Sequence, residues 1–252
     1  MSDNTIYLIT GANRGIGLAM TTLLLARPNT TVIATSRSPS PSLTSFPSES
    51  IHPSSKLFPM LLDESQPQIT STSLPARLLS QHAISHIDVL IANAGSSSSF
   101  RPVLDTDPEE MIRDLEVNAV GPAKVFRALW PLLERSEKAE KKVVLVSSTM
   151  GSIGGLGIEN LPGVAYGMSK AAGNYWARKV AVELRDKDVV VGVLHPGWVQ
   201  TGMGQALADA VGFKEPPLTV EQSAKAVIEQ IDGLTPEKSG QFLNYDGTQL
   251  PW

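Results

Sequence analysis

The sequence lacks cysteine, has few histidines and contains no long apolar run, and each of these features excludes a class of protein. Without a thiol there are no disulfide scaffolds, thiolate zinc sites, iron–sulfur clusters or cysteine nucleophiles. The longest nearly uncharged stretch near the N-terminus, Leu18–Ala26, is far shorter than the ~20 residues of a membrane span. The histidines are His52, His82, His86 and His195. No two of them share metal-ligand spacing with a carboxylate partner, so we predict no metal site.

The sequence also lacks a large excess of either charge. It has 21 basic and 25 acidic side chains, a net charge of −4 with histidine neutral. This balance gives no basic surface for nucleic acid or an anionic membrane. Residues 1–4 lack the basic start of a secretory signal, and Leu250–Trp252 matches no prenylation or peroxisomal motif. We therefore expect a cytoplasmic protein with neither nucleic acid nor membrane as a partner.

Strand-like and helix-like segments alternate along the 252 residues. Such alternation implies right-handed βαβ crossovers. We predict an α/β fold in which residues 1–252 form a single domain, a Rossmann-type doubly wound parallel sheet flanked by helices. The predicted strands are Tyr7–Thr10, Thr31–Ser36, Lys56–Leu62, Val89–Asn93, Lys142–Ser147 and Val189–Leu194, and the predicted helices are Gly15–Ala26, Pro108–Leu133, Tyr166–Arg185 and Val220–Ile231.

One segment, Ser36–Ser55, interrupts the alternation with nine serines and four prolines. Prolines at this density forbid a regular helix, so we predict a loop, which can include one short turn. We interpret it as a mobile surface connection, and a regulatory phosphorylation segment is the alternative.

A glycine-rich loop, Thr10–Gly17, follows the first predicted strand and opens the first predicted helix. Glycines permit the tight turn and the close backbone approach that a pyrophosphate requires, and the helix N-terminus favours the anion. The context of a strand before and a helix after makes the motif a predicted dinucleotide site. The predicted cofactor contacts in this loop are Gly11, Asn13, Arg14, Gly15, Ile16 and Gly17.

The residue at the end of the second strand predicts which dinucleotide binds. NAD-binding proteins usually place an acid ~20 residues beyond the glycines, where it accepts from the ribose 2′-hydroxyl. Here that position holds Ser36-Arg37, and the next acid is Glu49. Arg37, aided by Arg14, would neutralise a 2′-phosphate, so we predict NADP(H). The alternative is that Arg37 is an ordinary solvated side chain.

A phenol, an ammonium and a hydroxyl are predicted to converge. Tyr166 and Lys170 are four residues apart and so share one face of a helix. A nearby cation favours a phenolate, so we expect a lowered pKa for Tyr166. Ser148 ends a buried strand, and ligands bind at the carboxyl ends of strands in open α/β sheets.

These motifs together resemble the classical short-chain dehydrogenases/reductases over nearly the whole chain. The matching elements, in family order, are Thr10-Gly-xxx-Gly-x-Gly17, Asn93-Ala94-Gly95, Asn118, Ser148, Tyr166-xxx-Lys170 and His195-Pro196-Gly197. The long gap from Ser148 to Tyr166 and the ending Gly240–Trp252 are most similar to the C-factor/sniffer-type carbonyl reductases and the fungal norsolorinic acid ketoreductases.

The resemblance implies a role for each catalytic residue. Tyr166 would give its proton to a carbonyl oxygen that Ser148 also hydrogen-bonds, while hydride arrives from the nicotinamide. Lys170 would tune Tyr166 and hold the nicotinamide ribose. Asn118 would seat a water that relays protons to Lys170, although an asparagine within a helix can equally bond its own backbone.

The resemblance also implies further cofactor contacts. Asp63 would bond the adenine amine, although an acid on an exposed turn without any ligand would look the same in the sequence. Asn93, Ala94 and Gly95 would pack on the adenine ribose. The nicotinamide would be held after the sixth strand, by Pro196, Gly197, Val199 and Thr201. For His195 we expect a structural role.

We predict substrate loops at about 96–100, 150–164 and 198–217, because these segments overhang the strand ends. Glycines at 202–217 suit a loop that closes on cofactor binding. An apolar lining favours a hydrophobic or aromatic carbonyl, with polyketide-type ketones as one candidate class, unless these residues only pack a lid. The residues predicted to bind substrate are Met150, Leu156, Trp198 and Met203.

The predicted function is NADPH-dependent reduction of a ketone or aldehyde. One alternative is an NADP(H)-binding signalling or sensor protein without significant turnover, and another is alcohol oxidation at the same site. Family resemblance implies a homodimer or homotetramer that uses the helices around 108–133 and 166–185.

Overall fold

The computed structural model describes residues 4–64, 69, 72–157 and 161–252. Within them, all strand pairs are parallel and form one seven-stranded sheet in the order β3-β2-β1-β4-β5-β6-β7. The strands are β1 Thr5–Ile9, β2 Thr30–Ser36, β3 Lys56–Leu61, β4 Val89–Ala92, β5 Lys141–Val146, β6 Val189–His195 and β7 Gln241–Asn244.

Helices cover both faces of the sheet. They are α1 Gly15–Leu25, α2 Pro41–Thr44, α3 Ser73–His82, α4 Pro108–Leu115, α5 Gly121–Leu133, α6 Val164–Glu183, α7 Gly202–Val211 and α8 Val220–Asp232. A π-helical turn, Glu116–Val120, joins α4 to α5. No helix in the described ranges is both long enough and apolar enough to cross a membrane.

The core has two parts because successive side chains of a strand point to opposite faces of the sheet. Leu8 of β1 packs in the part that lies under α3, α5 and α6. Its neighbour Ile9 packs in the other part, with α1 and α8. The central strands are therefore buried on both faces, which explains their continuous apolar runs.

The strand order reverses at β1, which lies between β2 and β4. In open α/β sheets a crevice forms at this reversal, outside the carboxyl ends of the strands. The segments that begin at Thr10, Arg37, Asn93, Ser147 and Pro196 all leave the sheet at this edge. The fold therefore gathers the predicted site residues at one edge of the sheet.

The α/β fold class predicted from sequence is confirmed, and four local features differ from the predictions. Pro108–Leu133 is helical throughout, as predicted, but a π-helical turn lies within it. In a regular helix the ring of Pro122 would clash with the carbonyl of Asn118, and the wider turn precedes this proline. The predicted loop after Thr201 is mostly helix α7, whose N-terminus the Thr201 side chain caps.

The other two differences concern Ser36–Ser55 and two elements that were not predicted. Ser36–Ser55 contains no long helix, as predicted, but it has two short turns, α2 and a 3-10 turn at Ser48–Ser50. Pro41 is the first residue of α2, where a proline costs no hydrogen bond. Strand β7 and helix α3 were not predicted, and β7 completes the sheet by pairing with β6.

Candidate active site

The glycine-rich loop after β1 is packed so closely that side chains are excluded. Gly11 and Gly15 have φ of +63° and +53°, the left-handed region that favours glycine. A Cβ on Gly11 would lie 2.9 Å from the Ala94 Cα atom, and one on Gly17 would collide with the Gly11 carbonyl oxygen. The Asn93 amide donates to the carbonyls of Thr10, at 2.9 Å, and Gly11, at 3.1 Å. Asn93 therefore shapes the loop with its side chain.

The start of α1 offers its backbone amides to an anion. The residue before the helix, Arg14, is extended, and within the described residues no side chain caps this end. The first-turn N–H groups then have no intrahelical partner and carry the positive end of the helix dipole. Arg14 is exposed and Ile16 half-buried. The Asn13 carbonyl accepts from the Ser42 hydroxyl at 2.6 Å, which ties the α2 segment to this loop.

Two further predicted cofactor residues lie at the ends of β2 and β3. Arg37 follows β2 directly and is exposed, at the same sheet edge as Arg14. Asp63 lies just beyond β3 and is half-buried. The cluster therefore combines a glycine cradle with two cationic side chains, and this combination suits an anionic dinucleotide.

Ser148, Tyr166 and Lys170 converge at the carboxyl end of β5. The Ser148 hydroxyl lies near enough to the Tyr166 phenol to act on its pKa, and the Ser148 oxygen accepts from the Met150 amide at 3.2 Å. The Lys170 ammonium nitrogen lies 5.6 Å from the centre of the Tyr166 ring and donates to the Val146 carbonyl at 2.9 Å. All three side chains are buried. Residues far apart in sequence thus form one polar cluster.

The electrostatics of this cluster correct one expectation. Burial raises the pKa of Tyr166 to about 12, although its bond with Ser148 opposes this shift, so the predicted lowering is wrong for the protein alone. Burial also lowers the pKa of Lys170 to about 8, which weakens the cation meant to stabilise a phenolate. Tyr166 is therefore protonated at neutral pH, the form that can donate a proton.

Glycines bring α6 against the turn that follows Ser148. A Cβ on Gly151 would lie 2.7 Å from the Lys170 Cβ atom, and one on Gly167 would lie 2.8 Å from the Met150 carbonyl oxygen. One turn beyond Lys170, Asn174 accepts from the Ser147 hydroxyl at 2.5 Å and donates to the Gly151 carbonyl at 3.2 Å. Close packing and these bonds fix Lys170 relative to the end of β5.

Asn118 lies in the π-helical turn and links three parts of the site. Its side-chain oxygen accepts from the Ser96 amide at 2.9 Å. Its amide nitrogen donates to the Ser96 carbonyl at 2.7 Å and to the Ser169 hydroxyl at 2.8 Å. The side chain thus bonds the loop after β4 and helix α6 rather than its own helix. The relay role predicted for Asn118 remains a prediction.

A stripe of side chains four residues apart holds the loop at 96–100. Asp114, wholly buried, accepts from the Ser98 amide at 2.9 Å and the Ser98 hydroxyl at 2.8 Å. Glu110 accepts from the Ser99 hydroxyl at 2.6 Å. With Asn118, they form the anchoring stripe Glu110, Asp114 and Asn118. Their spacing of four is visible in the sequence, but their partners are not.

The predicted substrate side of the cluster is apolar. The Phe100 ring lies edge-on to Tyr166, with 6.0 Å between ring centres. A Cβ on Gly163 would be 2.9 Å from both the Met150 methyl carbon and a Phe100 ring carbon. Phe100 and Met150 thus border the space beside the phenol. Phe100 was not singled out from sequence, although it ends a predicted substrate loop.

The other predicted lining residues differ in placement. Trp198 donates to the Gly204 carbonyl at 2.9 Å, and Met203 is half-buried on α7. Leu156 is 70% exposed, so nothing in its surroundings assigns it to a pocket. Part of the predicted substrate loop 150–164, residues 158–160, lies outside the described residues.

The chain end holds another part of this loop. The Ser152 hydroxyl donates to the Pro251 carbonyl at 2.6 Å, and the Gly154 amide donates to the Trp252 carbonyl. The Trp252 ring stacks on Phe242 of β7, at 5.6 Å between centres. Through Trp252, the predicted substrate loop is therefore linked to β7, the last strand of the sheet.

The segment after β6 faces the glycine loop. Gly197 has φ of +84°, and the Pro196 carbonyl accepts from the Ser223 hydroxyl at 2.7 Å. Val199 is buried, and the Thr201 methyl would lie 3.4 Å from a Cβ on Gly15. Both sides of the crevice thus carry predicted cofactor residues.

His195 supports the turn after Ser148 rather than any proton transfer. Its Nδ1 atom accepts from the Thr149 amide at 3.3 Å. Burial lowers its pKa to about 4, so the ring is neutral at physiological pH. Across the described ranges, no three His, Cys, Asp or Glu side chains are grouped so as to hold a metal ion.

Comparisons with known proteins agree with this geometry. Residues 5–212 match the family model described as short chain dehydrogenase. The norsolorinic acid ketoreductase of Dothistroma septosporum is 36% identical, over 100% of this chain and 94% of the relative.

Two similar solved structures each match 99% of this chain over 99% of their own chain. The NADPH-bound carbonyl reductase from chicken fatty liver has a TM-score of 0.84 at 30% identity. The carbonyl reductase Sniffer of D. melanogaster has a TM-score of 0.83 at 27% identity. With the family match and the convergence of Ser148, Tyr166 and Lys170, these likenesses show that the chain belongs to the short-chain dehydrogenases and is similar to ketoreductases and carbonyl reductases among them.

Proposed function

We propose that the protein reduces a ketone or aldehyde to an alcohol with NADPH. The observation that carries this proposal is the buried convergence of the Ser148 hydroxyl and the Tyr166 phenol, with the Lys170 ammonium nitrogen 5.6 Å from the centre of the phenol ring. This arrangement offers a carbonyl oxygen two hydroxyl donors and places a cation behind one of them. The similar ketoreductase and carbonyl reductases support the same chemistry.

The cofactor site fits a dinucleotide because Gly11, Gly15 and Gly17 leave a cradle that side chains would fill. The amides at the start of α1 would hold the pyrophosphate, and Arg37 and Arg14 would bind a 2′-phosphate. When bound there, NADPH supplies the hydride. Asp63 and Asn93–Gly95 would contact the adenosine half, and Pro196–Thr201 the nicotinamide half.

Tyr166 acts as the proton donor in this proposal. Its phenol is protonated at neutral pH, and Ser148 orients it. As the carbonyl oxygen gains charge, the Ser148 hydroxyl stabilises the developing alkoxide and Tyr166 releases its proton to it. Lys170 balances the charge left on the phenolate. Asn118 hydrogen-bonds both Ser169, the neighbour of Lys170 on α6, and the loop at Ser96.

The substrate we propose is a hydrophobic or aromatic carbonyl compound. Phe100 and Met150 border the space beside Tyr166, and Trp198 and Met203 lie on the segment after β6. Apolar walls favour an apolar substrate, since they cannot satisfy the hydrogen bonds of a sugar or a charged acid. Similarity to a norsolorinic acid ketoreductase supports an aromatic ketone.

We also propose a homo-oligomer that uses α4 and α6. Ile112 is 53% exposed and Met168 is 52% exposed, so both helices present apolar side chains to solvent. Burying them against a second copy would remove this apolar surface from water. Sedimentation velocity tests this: a monomer at micromolar concentration contradicts the proposal.

The experiment that tests the function measures loss of NADPH absorbance with a panel of aromatic and aliphatic ketones and aldehydes. We expect carbonyl-dependent turnover and formation of the matching alcohol, identified by mass spectrometry. NADPH binding without turnover on any carbonyl would contradict reduction and favour a sensor. Faster oxidation of the alcohols with NADP⁺ at cellular cofactor ratios would reverse the proposed direction.

A further inference from the structure

Glu64 is a buried carboxylate that the proposed mechanism does not use. It follows Asp63 just beyond β3 and is 8% exposed. Its Oε2 atom is fully enclosed and is the one such side-chain atom without a hydrogen-bond partner in the part of the chain that the structure describes. Leaving a buried acceptor unpaired costs free energy, so its position needs an explanation.

The site around Glu64 is specifically built. The Thr10 hydroxyl bonds its carboxylate. The Thr10 oxygen already accepts from the amides of Asn93, at 3.2 Å, and Ala94, at 3.0 Å, so its own proton is free for Glu64. A Cβ on Gly121 would lie 2.8 Å from Oε2, and the absence of a side chain there makes room for the acid at the start of α5.

The segment Asn93–Gly95, whose amides bond the Thr10 oxygen, also touches the catalytic cluster. A Cβ on Gly95 would lie 3.4 Å from the Lys170 ammonium nitrogen and 3.2 Å from the Asn118 side-chain oxygen. Asn93–Gly95 therefore contacts the Thr10–Glu64 pair through Ala94 and Lys170 through Gly95. The acid and the ammonium belong to one buried assembly at the edge of the sheet.

The charged groups that act on Glu64 have opposite effects. Burial and the neighbouring Asp63 raise the pKa of Glu64, to about 7, while Lys170 and the Thr10 hydroxyl lower it. Burial lowers the pKa of Lys170 to about 8, while Glu64 and Asp114 raise it. Glu64 is thus an anion in the pH range in which the Lys170 ammonium would otherwise lose its proton.

We propose that Glu64 is a positioning residue that serves as the buried counter-charge of Lys170 and keeps it protonated beside Tyr166. Glu64 does not touch the reacting atoms; it acts through Lys170. The inference rests on the proposed function only where activity is concerned, because the Glu64–Lys170 interaction is a property of the protein alone.

The variant that tests it is Glu64→Gln, which retains the size of the side chain and an acceptor for Thr10 but removes the charge. Without that charge the pKa of Lys170 falls, so we expect the alkaline limb of kcat to move to lower pH by about one unit. Glu221→Gln, on an exposed face of α8, removes the same charge and should leave the profile unchanged.

Two measurements on the protein without substrate separate this inference from the proposed function. NMR of the Lys170 ammonium nitrogen in isotope-labelled protein should show its titration midpoint about one unit lower in Glu64→Gln. Infrared difference spectra of the wild type between pH 6 and 8 should show a protonated carboxyl band disappearing, and this works even if the variant does not fold.

Specific outcomes overturn the proposal. One is a folded Glu64→Gln with an unchanged Lys170 midpoint or an unchanged alkaline limb, even if its turnover falls at every pH. Another is a wild-type carboxyl band that stays unchanged up to pH 8, because a neutral Glu64 would carry no counter-charge. If no carbonyl is reduced at all, the proposed function fails, while a lowered Lys170 midpoint would still support the role of Glu64.

Discussion

The Phe100 ring meets the Tyr166 ring edge to face, with centres 6.0 Å apart and planes at 70°. An aromatic side chain thus borders the proposed proton donor on the side where a substrate would approach. Because aromatic pairs in this geometry add ~0.5–1.5 kcal/mol beyond area burial, the contact also orders the loop that ends at Phe100.

Phe100→Ala should lower kcat/KM for aromatic ketones by about tenfold or more, since it removes an apolar wall. Small aliphatic ketones should lose less, because they contact less of that wall. Steady-state kinetics with both substrate classes check this. The control is Leu104→Ala, which truncates a side chain that is 97% exposed. An equal loss for both classes would show that Phe100 only supports the loop.

Tyr166→Phe should reduce turnover by roughly 10²–10⁴-fold, the usual contribution of a positioned acid. The ring volume is retained, so NADPH affinity measured by fluorescence titration should change little. Tyr175→Phe is the matched control, since it makes the same change on the same helix at a 71% exposed position. Near-normal turnover of Tyr166→Phe would remove it from the mechanism.

Arg37→Ala should weaken NADPH binding by roughly 10–100-fold, because a hydrogen bond to a charged group is worth ~1.5–3 kcal/mol. NADH has no 2′-phosphate, so its binding should be almost unchanged. Isothermal titration calorimetry with both cofactors gives the comparison. Arg185→Ala is the control, because Arg185 is exposed just before β6, at the opposite edge of the sheet from Arg37. Equal losses for both cofactors would contradict the assignment of Arg37.

Glu64→Gln should change how stability depends on pH. The pKa of Glu64 is about 7 in the folded protein against an ordinary 4.5, so between these values the folded state binds more protons than the unfolded state. The contribution of Glu64 to stability should therefore fall by roughly 3 kcal/mol as pH rises through this window. The buried, neutral His195 has a pKa of about 4 against an ordinary 6.5 and gives an opposing rise between these values, so Glu64 is read from the difference between variants. Urea unfolding should show a change in stability from pH 5 to pH 8 that is roughly 3 kcal/mol more favourable in Glu64→Gln than in the wild type and in Glu221→Gln. The same pH dependence in all three proteins would assign the slope to other groups.

The parts of the fold that the sequence predicts are those with local signals. Gly11 and Gly15 have positive φ, and a Cβ on Gly11 or Gly17 would meet neighbouring backbone too closely, so the glycine pattern is readable without coordinates. The continuous apolar runs of β5 and β6 likewise follow from burial on both faces. By contrast, β7 is only four residues long, and its partner β6 rather than its own composition makes it a strand.

The features missed in the candidate site depend on contacts between distant segments. The helical spacing of 108–133 continues through the π-helical turn, so periodicity does not reveal it. Glu64 and Asp114 are acids that resemble surface residues in the sequence, and only the packing of Gly121 and Ser98 against them shows that they are buried. The rise in the pKa of Tyr166 has the same origin, because spacing shows the nearby ammonium but not the loss of water.

The anchoring stripe Glu110, Asp114 and Asn118 hydrogen-bonds the loop at 96–100, so α4 and this loop would move together. Each side chain of the stripe holds a different serine of that loop, and Phe100 is the next residue after them. The opposite side of α4 exposes Ile112. A binder that shifts or tilts this helix would therefore displace the aromatic edge beside the phenol, and could alter which carbonyl compounds enter without approaching them.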